Sequence, residues 1–484
     1  MKKVRYFRFA LLLAFCFLFL GRTNIQAQNT FKEIDSFIEQ EMRVWRIPNV
    51  SIGITNNDSI VFIKEYGSES VKAGASSQRA IHENYLLGSI SKPFTAIAVM
   101  QLVEQGKLKL DQPVRNYLPW FETSNAALSA RVTVRHLLNQ TSGLPKNAGF
   151  FTPQSEQQSA IEEEYRSYLL SLSLNEAAIG TTHVYSNLNY QILGQLITKA
   201  SGMRYADYVS TNIFTPCGMN NTFATYQQTQ QHGLRAGYQY LFGFPIQSSF
   251  TYNNNGIAAG DIASNTEDMC KFLRVLLNNG KINGDSILSA STLQQMHQPF
   301  SNRYGMGFSI GDWNGLHSVR HSGLTRNYSA TFNILPKQHY GIVILTNINS
   351  FSASRSLMDG VIRRLNNQEK KSSLPYEIYL RYGLLALLAW NVFEFVLRLN
   401  KWRKQGFAIH FATHFKAMLR LALNTVFALV WLIIVPIFAE LPLSSMPAMQ
   451  PDLGYGLIGG AIIGVCSAVI QHILHSQAPT SPAP

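Results

Sequence analysis

Apolar positions along the chain change their period several times, and each change marks an element. From Phe31 to Trp45 they recur every three or four residues, as on an amphipathic helix. Val50 to Thr55 and Ile60 to Glu65 then alternate, joined through Asn56, Asn57 and Asp58, which predicts a hairpin. Helical periodicity returns at Phe94 to Glu104, Val134 to Leu138, Ile161 to Leu172, Tyr190 to Lys199 and Thr266 to Asn278. Strands are expected around Tyr304 to Ile310, Ser318 to His321, Ser329 to Leu335 and Gly341 to Asn347, then a helix from Ser354 to Leu365. Strands at both ends of this region and helices in its middle predict an α+β fold: one antiparallel sheet flanked by helices, with an inserted all-α region. Tyr240 to Asn255 is expected to be a loop.

The longest apolar runs lie outside that region. Residues 1–28 open with Lys2, Lys3, Arg5 and Arg8, continue through Phe9 to Leu20 and close on the small-residue stretch Asn24 to Gln28, as a secretory signal peptide does. Cleavage is expected near Ala27 or Gln28; an uncleaved anchor is the competing reading. Cys16 follows Phe15 inside the apolar run rather than a small residue, so no lipid anchor is expected there. In the C-terminal part, 374–484, three apolar stretches near 382–399, 421–439 and 453–474 each approach the length of a membrane span. Buried helices of a soluble protein are the alternative, but such helices seldom run this long without a polar face.

Arg398, Lys401, Arg403, Lys404, Lys416 and Arg420 crowd the first connection, whereas Leu441 to Asp452 contains no Lys or Arg. The positive-inside rule therefore makes the basic connection cytoplasmic, leaving residues 29–373 extracytoplasmic (periplasmic) and the C-terminus inside, in the inner or cytoplasmic membrane. Gly456, Gly460 and Gly464 recur on one helical face, suited to packing within the bundle or to oligomerisation. Glu394 lies within the first span, where an ionisable group faces protein or water.

Composition fits this division. The chain has 484 residues, 46% of them hydrophobic and 14% charged, too many for one ordinary domain and too apolar for disorder. The formal net charge of +13 is concentrated in the leader and around the spans, so it is an orientation signal and gives no case for a nucleic-acid surface. Cys217 and Cys270 remain for the exported domain, either as a disulfide or as buried thiols.

The chemistry sits in three short strings. Ser89, Ile90, Ser91 and Lys92 form a Ser-x-x-Lys tetrad opening a helical pattern; Tyr185, Ser186, Asn187 and then His321, Ser322, Gly323 follow in chain order. Residues three apart share a helical face, so Lys92 reaches the hydroxyl of Ser89 without help from distant chain. That suits an activated serine nucleophile, provided burial lowers the lysine pKa. A tyrosine beside that lysine is expected to titrate closer to neutrality. His82, His136, His183 and His297 lack metal-ligand spacing, so neither a metal nor another cofactor is expected.

These strings resemble those of the serine β-lactamase and DD-peptidase superfamily, in its class C and peptidase S12 branch, over residues 31 to 365. The likeness extends to Leu110 to Leu118, Val132 to Leu144, Ile213 to Thr222, Ala258 to Leu277 and Tyr304 to Phe308. It implies Ser89 as nucleophile, Lys92 as its activating amine and Tyr185 as proton relay. It further implies substrate binding by Asn187, His321, Ser322 and Gly323, and an oxyanion hole from the backbone N–H groups of Ser89 and Leu324. Where many β-lactamases carry lysine this chain has His321, as some DD-peptidases and D-aminopeptidases do, so the grip on a β-lactam carboxylate is expected to be weak. No glutamate loop like that of class A enzymes is present.

An exported unit of this kind followed by three spans resembles the prodrug-activating peptidases, including the colibactin-maturation peptidase. The expected substrate is a small peptide containing D-amino acids or an acyl-D-amino-acid compound, with membrane lipid as the other partner. Alternatives are a β-lactamase, an esterase, or a penicillin-binding sensor that acylates without turnover.

Overall fold

A computed structural model describes residues 30–67, 83–249, 252–282, 284–300, 303–368, 374–406 and 446–476, with scattered helical positions between 415 and 433. The leader, the 369–373 part of the linker and most of the second apolar stretch lie outside the described residues. The chain divides into two compact units. The first contains a helix over 30–45 (α1), β1 (Asn49–Thr55), β2 (Ile60–Gly67), α2 (Ser91–Glu104), α3 (Gln158–Leu170) and α4 (Asn187–Ser201). It continues with α5 (Thr266–Leu277), β5 (Ser309–Trp313), β6 (Leu316–Leu324), β7 (Ser329–Leu335), β8 (Tyr340–Thr346) and α6 (Phe351–Leu365).

Its sheet runs β2-β1-β8-β7-β6-β5, antiparallel throughout, so strands from the two ends of the domain lie side by side. β7 is buried along its whole length although polar residues alternate with apolar ones along it; the hydroxyls of Ser329 and Thr331 are met by Thr346 and Ser322 on the neighbouring strands. On one face the absent side chain of Gly53 admits α5: a Cβ there would stand 2.2 Å from Cys270 Sγ. Cys270 is therefore a packed thiol. It and Cys217 are both buried and free, which resolves the choice left open by the sequence. α1 packs on α6, where Gly360 meets the Phe37 ring and Ser356 Oγ donates to Glu41.

The expected strand at Tyr304 starts only at Ser309. Gly305 and Gly307 interrupt it, Gly307 with φ +87°, a turn conformation that closes onto α2.

The second unit comprises residues 236–250, 325–327 and 375–484. Its hairpin, β3 (Gly237–Leu241) and β4 (Phe244–Ser248), stands where a loop was expected. Two long apolar helices follow, α7 (Tyr376–Lys404) and α8 (Pro451–Ser476), both long and apolar enough to cross a bilayer. They cover the first and third of the expected spans. Leu384 and Leu388 of α7 pack against Gly456, and Leu388 against Gly460, so that glycine face is used inside the unit.

Candidate active site

The nucleophile sits at a backbone irregularity. Gly88 has φ +54°, a short 3-10 turn spans Gly88–Ile90, and α2 starts at Ser91, so Ser89 is held just ahead of the helix. Lys92 is the second residue of α2 and is fully buried. Its Nζ lies 3.1 Å from Ser89 Oγ, 2.7 Å from Asn187 Oδ1 and 2.6 Å from the carbonyl oxygen of Ala259.

Donor and acceptor chemistry then assigns the proton positions. Burial holds the Lys92 pKa well below the usual lysine range, against an opposing pull from Asp261. A neutral amine has two N–H donors and one lone pair. The two shorter contacts are to carbonyl oxygens, which only accept. Ser89 Oγ is the one neighbour of the three that can also donate, so it is the contact through which the amine, once deprotonated, can take a proton. This is the arrangement of a general base before its nucleophile.

Tyr185 comes to the nucleophile from the other string, where the Ser89 hydroxyl affects its pKa, and Lys92 Nζ stands 4.8 Å from its ring centroid. The expectation of a near-neutral Tyr185 is overturned. Burial raises its pKa above the usual phenol range, only partly offset by the Ser89 hydroxyl. Tyr185 is thus a protonated phenol, an acid rather than a base. Gln140 fixes it from both sides: Val184 N donates to the Gln140 carbonyl at 2.8 Å, and Ser186 N donates to its Oε1 at 3.0 Å. Gln140 has φ +60°, a strained backbone for a residue with a side chain.

The third string lies on β6, with alternate residues on opposite faces. Gly323 abuts the nucleophile turn: a Cβ there would come 1.9 Å from Leu87 O and 2.8 Å from Ser89 N. Leu324 N lies beside Gly88, only 2.6 Å from where a Cβ on that glycine would stand. The two backbone N–H groups expected to form an oxyanion hole are therefore brought to one place. The ring of His321 is buried; its Nε2 is 3.3 Å from Tyr304 Oη and its Nδ1 2.9 Å from the carbonyl oxygen of Ser322. Burial, with Lys92 nearby, pushes its pKa down to about 3, so it is neutral at physiological pH. Ser322 points its hydroxyl at Thr331 Oγ1, 3.0 Å away on β7, and reaches the site only through its backbone.

All of the expected site residues except the Ser322 side chain converge. Sequence reasoning missed the Ala259 carbonyl, Gln140, Tyr190 and Tyr304. The first is a backbone group with no side-chain signature. Gln140 lay in view, one residue before the Thr-Ser-Gly run. Tyr190 adds a second ring 5.6 Å from Lys92 Nζ. Among the described residues no cluster of His, Cys, Asp and Glu is placed to hold a metal.

A Ser-x-x-Lys pair at the start of a helix, a facing tyrosine and a strand-borne glycine on one antiparallel sheet define a serine acyl-transfer fold of the β-lactamase and transpeptidase type. The chain belongs to the Beta-lactamase family, whose model matches residues 34–366. It is 28% identical over 329 residues to Protein flp of Staphylococcus aureus (strain MW2), covering 66% of this chain and 63% of that protein. It is 31% identical over 259 residues to a penicillin-binding protein of Bacillus subtilis (strain 168), covering 49% of this chain and 55% of that protein. The chain thus spans less than two thirds of the length of either relative. An octameric penicillin-binding protein homologue from Pyrococcus abyssi superposes with a TM-score of 0.60 at 25% identity, covering 74% of this chain and 81% of that one. A class C β-lactamase mutant superposes with a TM-score of 0.58 at 20% identity, covering 69% and 97%, which is likeness of fold alone.

Proposed function

We propose that this chain is a membrane-anchored extracytoplasmic serine hydrolase that cleaves amide bonds through an acyl-enzyme on Ser89. Its substrates are peptides containing D-amino acids or acyl-D-amino-acid compounds. The observation that carries the reading is the buried Lys92 Nζ, 3.1 Å from Ser89 Oγ and 2.7 Å and 2.6 Å from two carbonyl oxygens, with its pKa held down by burial. As Oγ attacks the carbonyl carbon, its proton passes to Lys92 Nζ, and the oxyanion forms against the N–H groups of Ser89 and Leu324. Tyr185 gives its phenolic proton to the leaving nitrogen, the C–N bond breaks, and Lys92 reprotonates the phenolate. Water then attacks the ester carbonyl; its proton returns through the same pair as Ser89 is released.

A neutral His321 supplies hydrogen bonds but no fixed charge, which favours substrates with an uncharged group there over β-lactams, whose carboxylate needs a cation. The membrane anchor is supported by the direction of the two long helices. Arg381 pairs with Asp452 near their starts, and Arg398 meets Ser467 farther along, so α7 and α8 run parallel. Two parallel helices of bilayer length require the chain between them to return across the same thickness, as three crossings do.

The test is a substrate panel of N-acyl-D-amino amides, D-alanyl dipeptides, simple esters and a chromogenic cephalosporin, with Ser89→Ala as the control. Turnover of the D-amino-acid amides by the native chain alone supports the reading. Fast cephalosporin turnover without amide turnover favours a β-lactamase, and acylation without any turnover favours a sensor.

A further inference from the structure

The hairpin β3–β4 breaks its own local rules. Its register pairs Leu241 with Phe244, leaving the two-residue loop Phe242–Gly243 with φ +50° and +83°. Such a turn ordinarily takes Asn-Gly or Asp-Gly, and a phenylalanine in the left-handed region is strained. Its two faces are also inverted relative to a hairpin in water. Tyr240, on one face, is buried under the Arg381 guanidinium of α7. Leu241, Phe244 and Ile246 share the other face and are 41%, 48% and 49% exposed.

The same unit holds this hairpin firmly. Phe242 N donates to Asp452 Oδ2 at 2.9 Å, while Arg381 pairs with the other oxygen of Asp452 and with Gln450. Gly243 packs on Tyr382 and Ile378, and the Phe244 ring lies 6.0 Å from that of Tyr382. The bare apolar face is therefore continuous with the start of α7, where Tyr376, Tyr379 and Leu380 are themselves 53%, 55% and 66% exposed. Aromatic residues clustered at one end of an apolar helix mark the level of a membrane interface.

We infer that the tip Leu241–Phe242–Gly243–Phe244, with Ile246, inserts into the outer interfacial layer of the bilayer, and that its occupant is lipid. The apolar medium that covers the start of α7 covers the tip, because an ion pair and a backbone hydrogen bond fasten the two together. This rests on the reading that α7 and α8 cross a membrane, and it goes further by placing a hairpin that interrupts the catalytic domain's sequence at the lipid surface.

The test uses the full chain in phosphatidylcholine nanodiscs, with Cys466→Ser to remove the exposed thiol. An environment-sensitive NBD label is placed at Phe244→Cys or Ile246→Cys, at Trp390→Cys on exposed α7, and at Lys107→Cys as an aqueous reference. Folding of each variant is verified by fluorophosphonate labelling of Ser89. The expected result is blue-shifted emission at 244 and 246, quenched by doxyl-labelled lipid and shielded from iodide, as at 390. If 390 is lipid-quenched while 244 and 246 behave like 107, the hairpin inference alone is overturned. If 390 also behaves like 107, the membrane reading falls and the inference falls with it.

Discussion

At the scale of single residues the decisive fact is the protonation state that burial imposes. Burial holds the Lys92 pKa well below the usual lysine range, so kcat/KM should rise with pH along an acid limb set by its deprotonation, measured with an N-acyl-D-amino amide. Lys92→Arg, which cannot deprotonate, should abolish that limb together with nearly all activity. A pH-independent rate in the native chain would contradict the assignment. His321 carries a separate signature. Its folded pKa of about 3 lies below the ordinary histidine value of about 6.5, so the unfolded chain binds the extra proton between these values. Stability attributable to this group is complete above 6.5 and falls on acidification, by at most about 1.4 kcal/mol per pH unit. His297, pushed down to about 4 by burial, acts in the same direction. Denaturation midpoints of the native chain should therefore decline from pH 7 to 4, and His321→Gln should flatten the slope. The residue types of the site were legible because Ser-x-x-Lys, Tyr-Ser-Asn and His-Ser-Gly keep chemistry close in sequence. The Tyr185 protonation state was not, because it depends on how much water the fold removes from its ring.

At the scale of elements, the junction between β6 and the turn before α2 fixes the oxyanion site. Gly323→Ala would drive a methyl group into Leu87 O and toward Ser89 N. The expected loss is about 10²–10³-fold in kcat, the magnitude for a displaced oxyanion donor, together with a lowered melting temperature in a chain that still folds. Steady-state kinetics beside a melting curve distinguish this from unfolding; equal activity would mean the donors lie elsewhere. The helix at Val134–Leu138 and the strand Ser329–Leu335 coincide with expectation, because local periodicity and burial agree there. The β3–β4 hairpin escaped notice because Phe-Gly is not a turn signal and its apolar face looks outward. The expected strand at Tyr304 was cut short because glycine conformation outweighed its apolar pattern.

At the scale of the whole molecule, the two long apolar helices and the β-lactamase-like domain were both visible in the sequence, one as apolar length, the other as motif order. What could not be read was which surfaces the glycines of α8 serve, since identical spacing suits internal packing or oligomerisation. Leu388 standing 3.0 Å from the Cβ position of Gly460 points to internal packing. Gly460→Leu should accordingly lower the melting temperature in detergent, an overpacking cost of about 1–3 kcal/mol, without altering oligomeric state by light scattering. A changed oligomeric state at unchanged stability would assign the face to another copy. The central claim is that Ser89 becomes a covalent acyl carrier because a neutral lysine takes its proton. Its most direct measurement is mass spectrometry of the full chain, acid-quenched during turnover of a slow acyl donor and then mapped by proteolysis. The account predicts one acyl group, on the peptide containing Ser89, absent from Ser89→Ala and strongly reduced in Lys92→Gln. An acyl group on a different residue, or undiminished turnover by Ser89→Ala, would contradict it.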